Sequence, residues 1–210
     1  MTQLLTGVRT ATVVSVLLLV ATAARSDNAV ETIVLIRHGE KPDQGLGQLN
    51  CQGLNRALAL PQIIARRFGK PDFIFTPNPS DRKMDAGVAY DYVRPLATVE
   101  PTAISFGLPV DTSLGISDTA RLPGVLEQPM YHNALILVAW EHKAIETIAG
   151  ALLANHGGSA AVVPPWPSED FDSIYVVTIV RNGDTAVAKF AHESEGLDGQ
   201  PKNCPHDGGN

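Results

Sequence analysis

The chain has 210 residues, 44% hydrophobic and 18% charged, with a formal net charge of −6. That length is ample for a domain with its own core. The acidic balance excludes a general nucleic-acid binder. The six histidines form no His-x-His or His-Glu-x-x-His pair, so no built-in metal site is expected.

Residues 1–26 read as an export signal. Arg9 supplies a positive flank, residues 11–24 are apolar, and Ala21-Thr22-Ala23 offers a cleavage site, with Ala24-Arg25-Ser26 as a second. The apolar run is shorter than the roughly 20 residues needed to span a bilayer. A periplasmic or secreted protein is expected, with no stable membrane insertion after cleavage. Export implies an oxidising compartment, where Cys51 and Cys204 are expected to pair; two free thiols are the alternative.

Residues 31–40 run Glu-Thr-Ile-Val-Leu-Ile-Arg-His-Gly-Glu. The β-branched apolar run reads as a buried strand. It stops at Arg37-His38-Gly39-Glu40, and ligand sites in open α/β sheets lie at the carboxyl ends of strands. A polar loop, 41–50, leads to a helix over 52–68, with a kink or break expected at Pro61. Phe73–Phe75 is a short strand. Residues 77–92, with prolines, a glycine and charges, read as a long loop. Arg94-Pro95 opens a second helix to about Phe106. A short strand at 108–111 and a helix at 118–128, capped by Ser117 or Asp118, follow.

Residues 134–140 form a second buried strand that ends at Glu141-His142. The helix after it carries Ile145, Ile148, Ala149, Leu152 and Leu153 on one face and ends at Gly157-Gly158. Residues 174–180 and 186–190 read as strands joined through Asn182-Gly183. The tail from Glu193 is polar and irregular. Alternating strands and helices imply a three-layer α/β/α domain with a mostly parallel central sheet. Two such strands side by side would bring His38 and His142 to one sheet edge.

Phosphoryl transfer to a histidine needs a neutral imidazole with one nitrogen free and the other held by an acceptor, usually a backbone carbonyl. It also needs fixed positive donors around the phosphate. Arg37 adjoins His38, Arg94 begins a helix, and His142 could add a third donor. The ordered set Arg37-His38-Gly39-Glu40, Arg94 before a helix and His142 after an apolar strand resembles the histidine phosphatase superfamily, which includes phosphoglycerate mutases and many phosphatases. Gly53-x-x-Arg56-Ala57 also looks like that family's helix after the first loop.

The resemblance implies a phosphoglycerate mutase-like fold over 27–210. It implies that His38 is phosphorylated and that Arg37, Arg94 and His142 bind the phosphoryl group. The proton donor stays open among Glu141, Asp118 and no dedicated acid. Arg82 is an alternative to Arg94. Three features count against a mutase: Gln44 where mutases carry Asn, no recognisable acidic segment in 111–120, and the export signal. The expectation is therefore an exported phosphatase, needing no metal or cofactor, that hydrolyses a small phosphorylated substrate. A phosphotransferase or a phosphate-binding module without turnover are the alternatives. Nothing in the sequence sets an oligomeric state.

Overall fold

The computed structural model describes residues 28–205. The export signal therefore lies outside the described residues. At the centre is β1 (Ala29–Arg37), with parallel β5 (Leu135–Trp140) on one side and antiparallel β6 (Ser173–Asn182) on the other. β2 (Phe73–Phe75) extends the parallel half, and β7 (Thr185–Ser194) closes the antiparallel half. The order is β2-β5-β1-β6-β7, so the sheet is mixed. The expected mostly parallel character holds in strand direction: β2, β5, β1 and β7 run one way and β6 runs against them. A tight β6–β7 hairpin forces the antiparallel pairing.

The unbroken apolar runs of β1 and β5 follow from cover on both faces. Ile33 and Leu35 point to one core with Ile145, Ile148 and Leu152 of α4 (His142–Asn155) and Leu122 and Leu126 of α3 (Leu122–Leu126). Val34 and Ile36 point to the other, with Leu60, Ile63 and Ile64 of α1 (Cys51–Arg67) and Val99 and Ala103 of α2 (Arg94–Phe106). This is the three-layer arrangement expected from the sequence.

Five local readings need correction. α1 runs unbroken through Pro61, where burial of Leu60, Ile63 and Ile64 outweighs the missing backbone donor. Residues 77–92 hold a two-stranded hairpin, β3 (Arg82–Asp85) and β4 (Val88–Asp91). Its turn, Ala86-Gly87, has both φ angles positive, at 50° and 84°, as a tight hairpin demands. The span 108–111 contributes only a bridge from Asp111 to Phe75. The helix expected at 118–128 is a 3-10 turn, Asp118–Ala120, followed by α3 with Pro123 in its first turn. The β6–β7 turn is Gly183-Asp184, one residue later than expected.

Cys51 and Cys204 are disulfide-bonded across 153 residues of sequence. The bond ties the segment after β7 to the first residue of α1. Asn55 adds to it by donating to the carbonyls of Pro201 and Asn203. In the chain-entropy description, closing so long a loop stabilises the native state by about 5 kcal/mol. Reduction is therefore expected to lower the melting temperature by more than 10 °C or so, at the customary few degrees per kcal/mol. Thermal unfolding with and without reductant checks this. An unchanged transition with both thiols shown to be free by alkylation would contradict it.

Candidate active site

His38 follows β1 directly, and its backbone N–H donates to Trp140 O of β5 at 3.1 Å. Strand register pairs Arg37 with Trp140. The two apolar strands thus end side by side, with His38 beyond one and Glu141-His142 beyond the other. The turn after β1 is held from two sides. Gly39 N–H donates to Thr98 Oγ1 of α2 at 2.9 Å, and Thr98 donates to Arg94 O at 2.8 Å. On the other side α1 packs directly on the turn. A Cβ on Gly53 would stand 2.4 Å from Glu40 O, so only glycine fits there.

The His38 ring is buried, with Nδ1 2.8 Å from Gly39 O. A carbonyl can only accept, so the proton sits on Nδ1 and Nε2 keeps its lone pair. Burial, then the nearby Arg94 guanidinium, hold the imidazole well below its usual pKa; the Gly39 bond opposes them, and Arg37 and Lys83 add to the depression. The ring is therefore neutral at neutral pH, with the Nε2 lone pair available. Tyr92 meets it edge-on at 5.9 Å between centroids, and Phe171 lies at 6.2 Å.

The unfolded chain takes up a proton at His38 near pH 6.5, whereas the native state does so only well below it. His38's share of stability is therefore complete above pH 6.5. It is lost at up to about 1.4 kcal/mol per pH unit as pH falls towards the native pKa. An NMR titration is expected to show the His38 ring still neutral as pH drops through 6.5. A midpoint at or above 6.5 would contradict the burial argument.

The two arginines are held in the same way. Arg37 Nη1 donates to Ser168 O and Asp170 O, each at 2.7 Å, and its Cζ lies 3.8 Å from the centre of the Phe171 ring. Arg94 Nη1 donates to Asp85 Oδ2 at 2.6 Å, and its Cζ lies 4.8 Å from the Tyr92 ring centre. In both, Nε is buried without a hydrogen-bond partner among the described residues. A guanidinium pinned by Nη1 keeps its Nε–Nη2 edge, the fork that matches two oxygens of an anion. Burial lowers Arg37's pKa, Glu141 being the largest opposing influence, yet a guanidinium stays charged.

Glu141 does not extend β5. It is the N-cap of α4, accepting from Ala144 N–H at 3.1 Å. The chain turns there, so Glu141 and His142 are not forced to opposite faces as neighbours in a strand would be. Glu141 Oε1 lies 2.7 Å from His142 Nδ1, close but not aligned as a hydrogen bond. Burial and then Arg37 lower the His142 pKa, against the pull of Glu141. The charges of Arg37 and Arg94 thus reach His38, and those of Arg37 and Glu141 reach His142.

Asp118 lies apart from this set. It closes its own turn, accepting from Gly115 N–H at 2.8 Å and from Arg121 at 3.1 Å. Arg82 is exposed on the outer side of β3, near Asp91. The next residues inward on that strand are ones sequence reasoning missed. Lys83 and Asp85 alternate onto the site-facing side; Lys83 Nζ lies 5.0 Å from the Tyr92 ring centre. The period-2 pattern was there to read, but its inward residues are charged, so it carried no hydrophobic signal. Tyr92 and Phe171 are the other two missed neighbours.

No family model matches this chain, and no curated protein matches it in sequence. Similar solved structures exist. A mycobacterial glucosyl-3-phosphoglycerate phosphatase in complex with inorganic phosphate is 15% identical, with a TM-score of 0.51 over 77% of this chain and 95% of that one. The native form of that phosphatase gives 13% identity and the same TM-score over 77% and 97%. A phosphoglycerate mutase from Plasmodium falciparum aligns less well, with a TM-score of 0.48 at 13% identity over 77% and 89%. At such identities the likeness concerns the fold: this chain has the α/β architecture of the mycobacterial phosphatase, over nearly all of that protein's length.

Proposed function

We propose that this protein is an exported phosphatase of the histidine phosphatase type, which hydrolyses a phosphomonoester through a phosphohistidine on His38. One observation carries the reading: a buried, neutral imidazole with Nδ1 fixed to Gly39 O stands beside two guanidiniums whose buried Nε atoms are unpartnered among the described residues. Such donors cost free energy when buried and unmet. A tetrahedral oxyanion satisfies both at once.

In the first step the His38 Nε2 lone pair attacks phosphorus. The N–P bond forms, the P–O bond to the leaving group breaks, and the leaving oxygen takes a proton. Arg37 and Arg94 hold the equatorial oxygens through their Nε–Nη2 edges, where charge is spread in the transition state. The bound dianion raises the proton affinity of His142, so it donates as imidazolium. Glu141, in contact with that ring, is the proton donor to the leaving oxygen. In the second step water attacks phosphorus and gives its proton to the Glu141 carboxylate, the N–P bond breaks with its electron pair returning to His38 Nε2, and inorganic phosphate leaves. Fixed cations supply the positive charge, so no metal is required.

The substrate class is a small phosphomonoester in the exported compartment. The fold shared with the mycobacterial phosphatase and the disulfide both fit this reading. The test is release of phosphate from an aryl phosphate in the presence of chelator. Turnover is expected. Tight phosphate binding without turnover on any phosphoester would make the protein a binding module instead.

A further inference from the structure

The carboxylate behind Arg94 has no part in the chemistry above. Asp85 ends β3 and is 5% exposed. Its Oδ2 meets Arg94 Nη1 at 2.6 Å and its Oδ1 meets Lys41 Nζ at 2.6 Å. Lys41 belongs to the loop after Glu40, and Arg94 opens α2. One carboxylate therefore bridges the β3–β4 hairpin, the loop that follows the nucleophile, and the helix that carries the second arginine. The loop also closes over it. Gly45 has φ +77°, and a Cβ there would stand 2.2 Å from Asp85 Cγ. Burial alone would raise the Asp85 pKa, but the bonds from Lys41 and Arg94 more than offset it and the carboxyl lies below its usual value. It is anionic at neutral pH.

A buried carboxylate at this place has a cost. It subtracts one positive charge from a site that receives a phosphate dianion. Affinity alone would favour a neutral acceptor, such as the backbone carbonyls that hold Arg37. What the carboxylate adds is direction. A charge-assisted bond of this length fixes the guanidinium plane more firmly than a neutral one.

We propose that Asp85 is a positioning residue, which pins Arg94 through Nη1 and aims its Nε–Nη2 edge at the phosphoryl oxygens as they reach the transition state. This rests on the phosphatase reading, and it gives the β3–β4 hairpin a role in that reaction. Because the residue acts on orientation and opposes ground-state charge, its loss separates kcat from binding. A mispositioned clamp can cost two orders of magnitude in rate.

For Asp85→Asn the expected result is a kcat lower by about 10- to 100-fold, while inhibition by inorganic phosphate is unchanged or tighter. A purely architectural residue would weaken phosphate binding along with rate and overturn the proposal. In an Arg94→Lys background, which lacks the fork, Asp85→Asn is expected to have no further effect on kcat. A full additional loss would overturn it too. Should Asp85→Asn fail to fold, Asp85→Glu retains the charge and displaces the carboxylate by one methylene, with the same loss of kcat expected.

An activity-independent measurement keeps the two readings distinct. The Arg94 Nε–H NMR signal is expected to shift on titration with inorganic phosphate in the unaltered protein, and to lose most of that shift in the Asp85 variant. Equal shifts in both would overturn the role of Asp85 even if the protein is a phosphatase. A shift that depends on Asp85, in a protein without turnover, would support the positioning role and reject the phosphatase.

Discussion

Replacing His38 with alanine is expected to lower kcat/KM for phosphomonoesters by about 10⁴-fold or more, the scale on which nucleophile deletions fall. No other side chain can take its place. Among the residues of the site, His142 is the one alternative imidazole, and in the proposed reaction it serves as an imidazolium donor with no lone pair to attack phosphorus. The two cysteines are disulfide-bonded. The arginines and the backbone remain, so a small residual rate is expected from the phosphate cradle alone. Phosphate binding should survive, because Arg37 is held by Ser168 and Asp170 and Arg94 by Asp85, none of them through His38. Steady-state kinetics and phosphate titration of the two proteins check both halves. Equal rates in the two would remove the phosphohistidine mechanism.

Replacing Arg56 with leucine is expected to destabilise the fold by about 3–5 kcal/mol, the cost of leaving buried charges without their partner. Arg56 is 1% exposed. Its guanidinium meets Glu40 at 2.8 Å, Glu195 at 2.6 Å, Asp172 at 3.1 Å and Asp198 at 3.3 Å. One cation thus joins the turn after His38, the loop that carries Phe171 and the segment after β7. Even with Arg56 present, burial pushes the Glu195 carboxyl up to about 8; Arg56 pulls it down, and Asp172 and Glu40 add to the rise.

The sign is that of a raised acid. Glu195 supports the native state fully below its unfolded pKa near 4.5, and that support declines as pH rises towards 8. Without Arg56 the Glu195 carboxyl shifts further upward. The loss should therefore be largest in mildly alkaline solution and shrink towards pH 5, where Glu195 is neutral. At about 2–4 °C per kcal/mol for a domain of this size, melting should fall by roughly 10 °C at neutral pH. Calorimetry across pH 5–8.5 checks this. A small, pH-independent loss would show that the cluster is held by packing rather than by Arg56.

The parts of the fold that were legible are those whose chemistry is local. β1, β5 and α4 announced themselves because each carries an apolar pattern over a full element. Arg37, His38 and His142 were legible because each stands where such a pattern stops. The strength of α1 across Pro61 was not, since a propensity rule has no knowledge of the core that Leu60 and Ile64 enter. Glu141 was read as a strand end. Glutamate is not among the favoured N-caps, so its cap gave no signal. The Arg56 cluster was hidden for a different reason: its partners Asp172 and Asp198 lie 116 and 142 residues away. The β3–β4 hairpin, with Asp85 and Lys83, faces a charged site rather than a hydrophobic core. A functional surface of this kind breaks the patterns that make strands readable.

The central claim is that phosphorus becomes bonded to His38. Its most direct test is to mix the protein with a labelled aryl phosphate, quench in base during turnover, digest, and locate the phosphoryl group by mass spectrometry. The expected result is an acid-labile, base-stable phosphoramidate on the peptide that contains His38, absent from the His38→Ala variant. Turnover with no phosphopeptide, or with the phosphoryl group on any other residue, would contradict it.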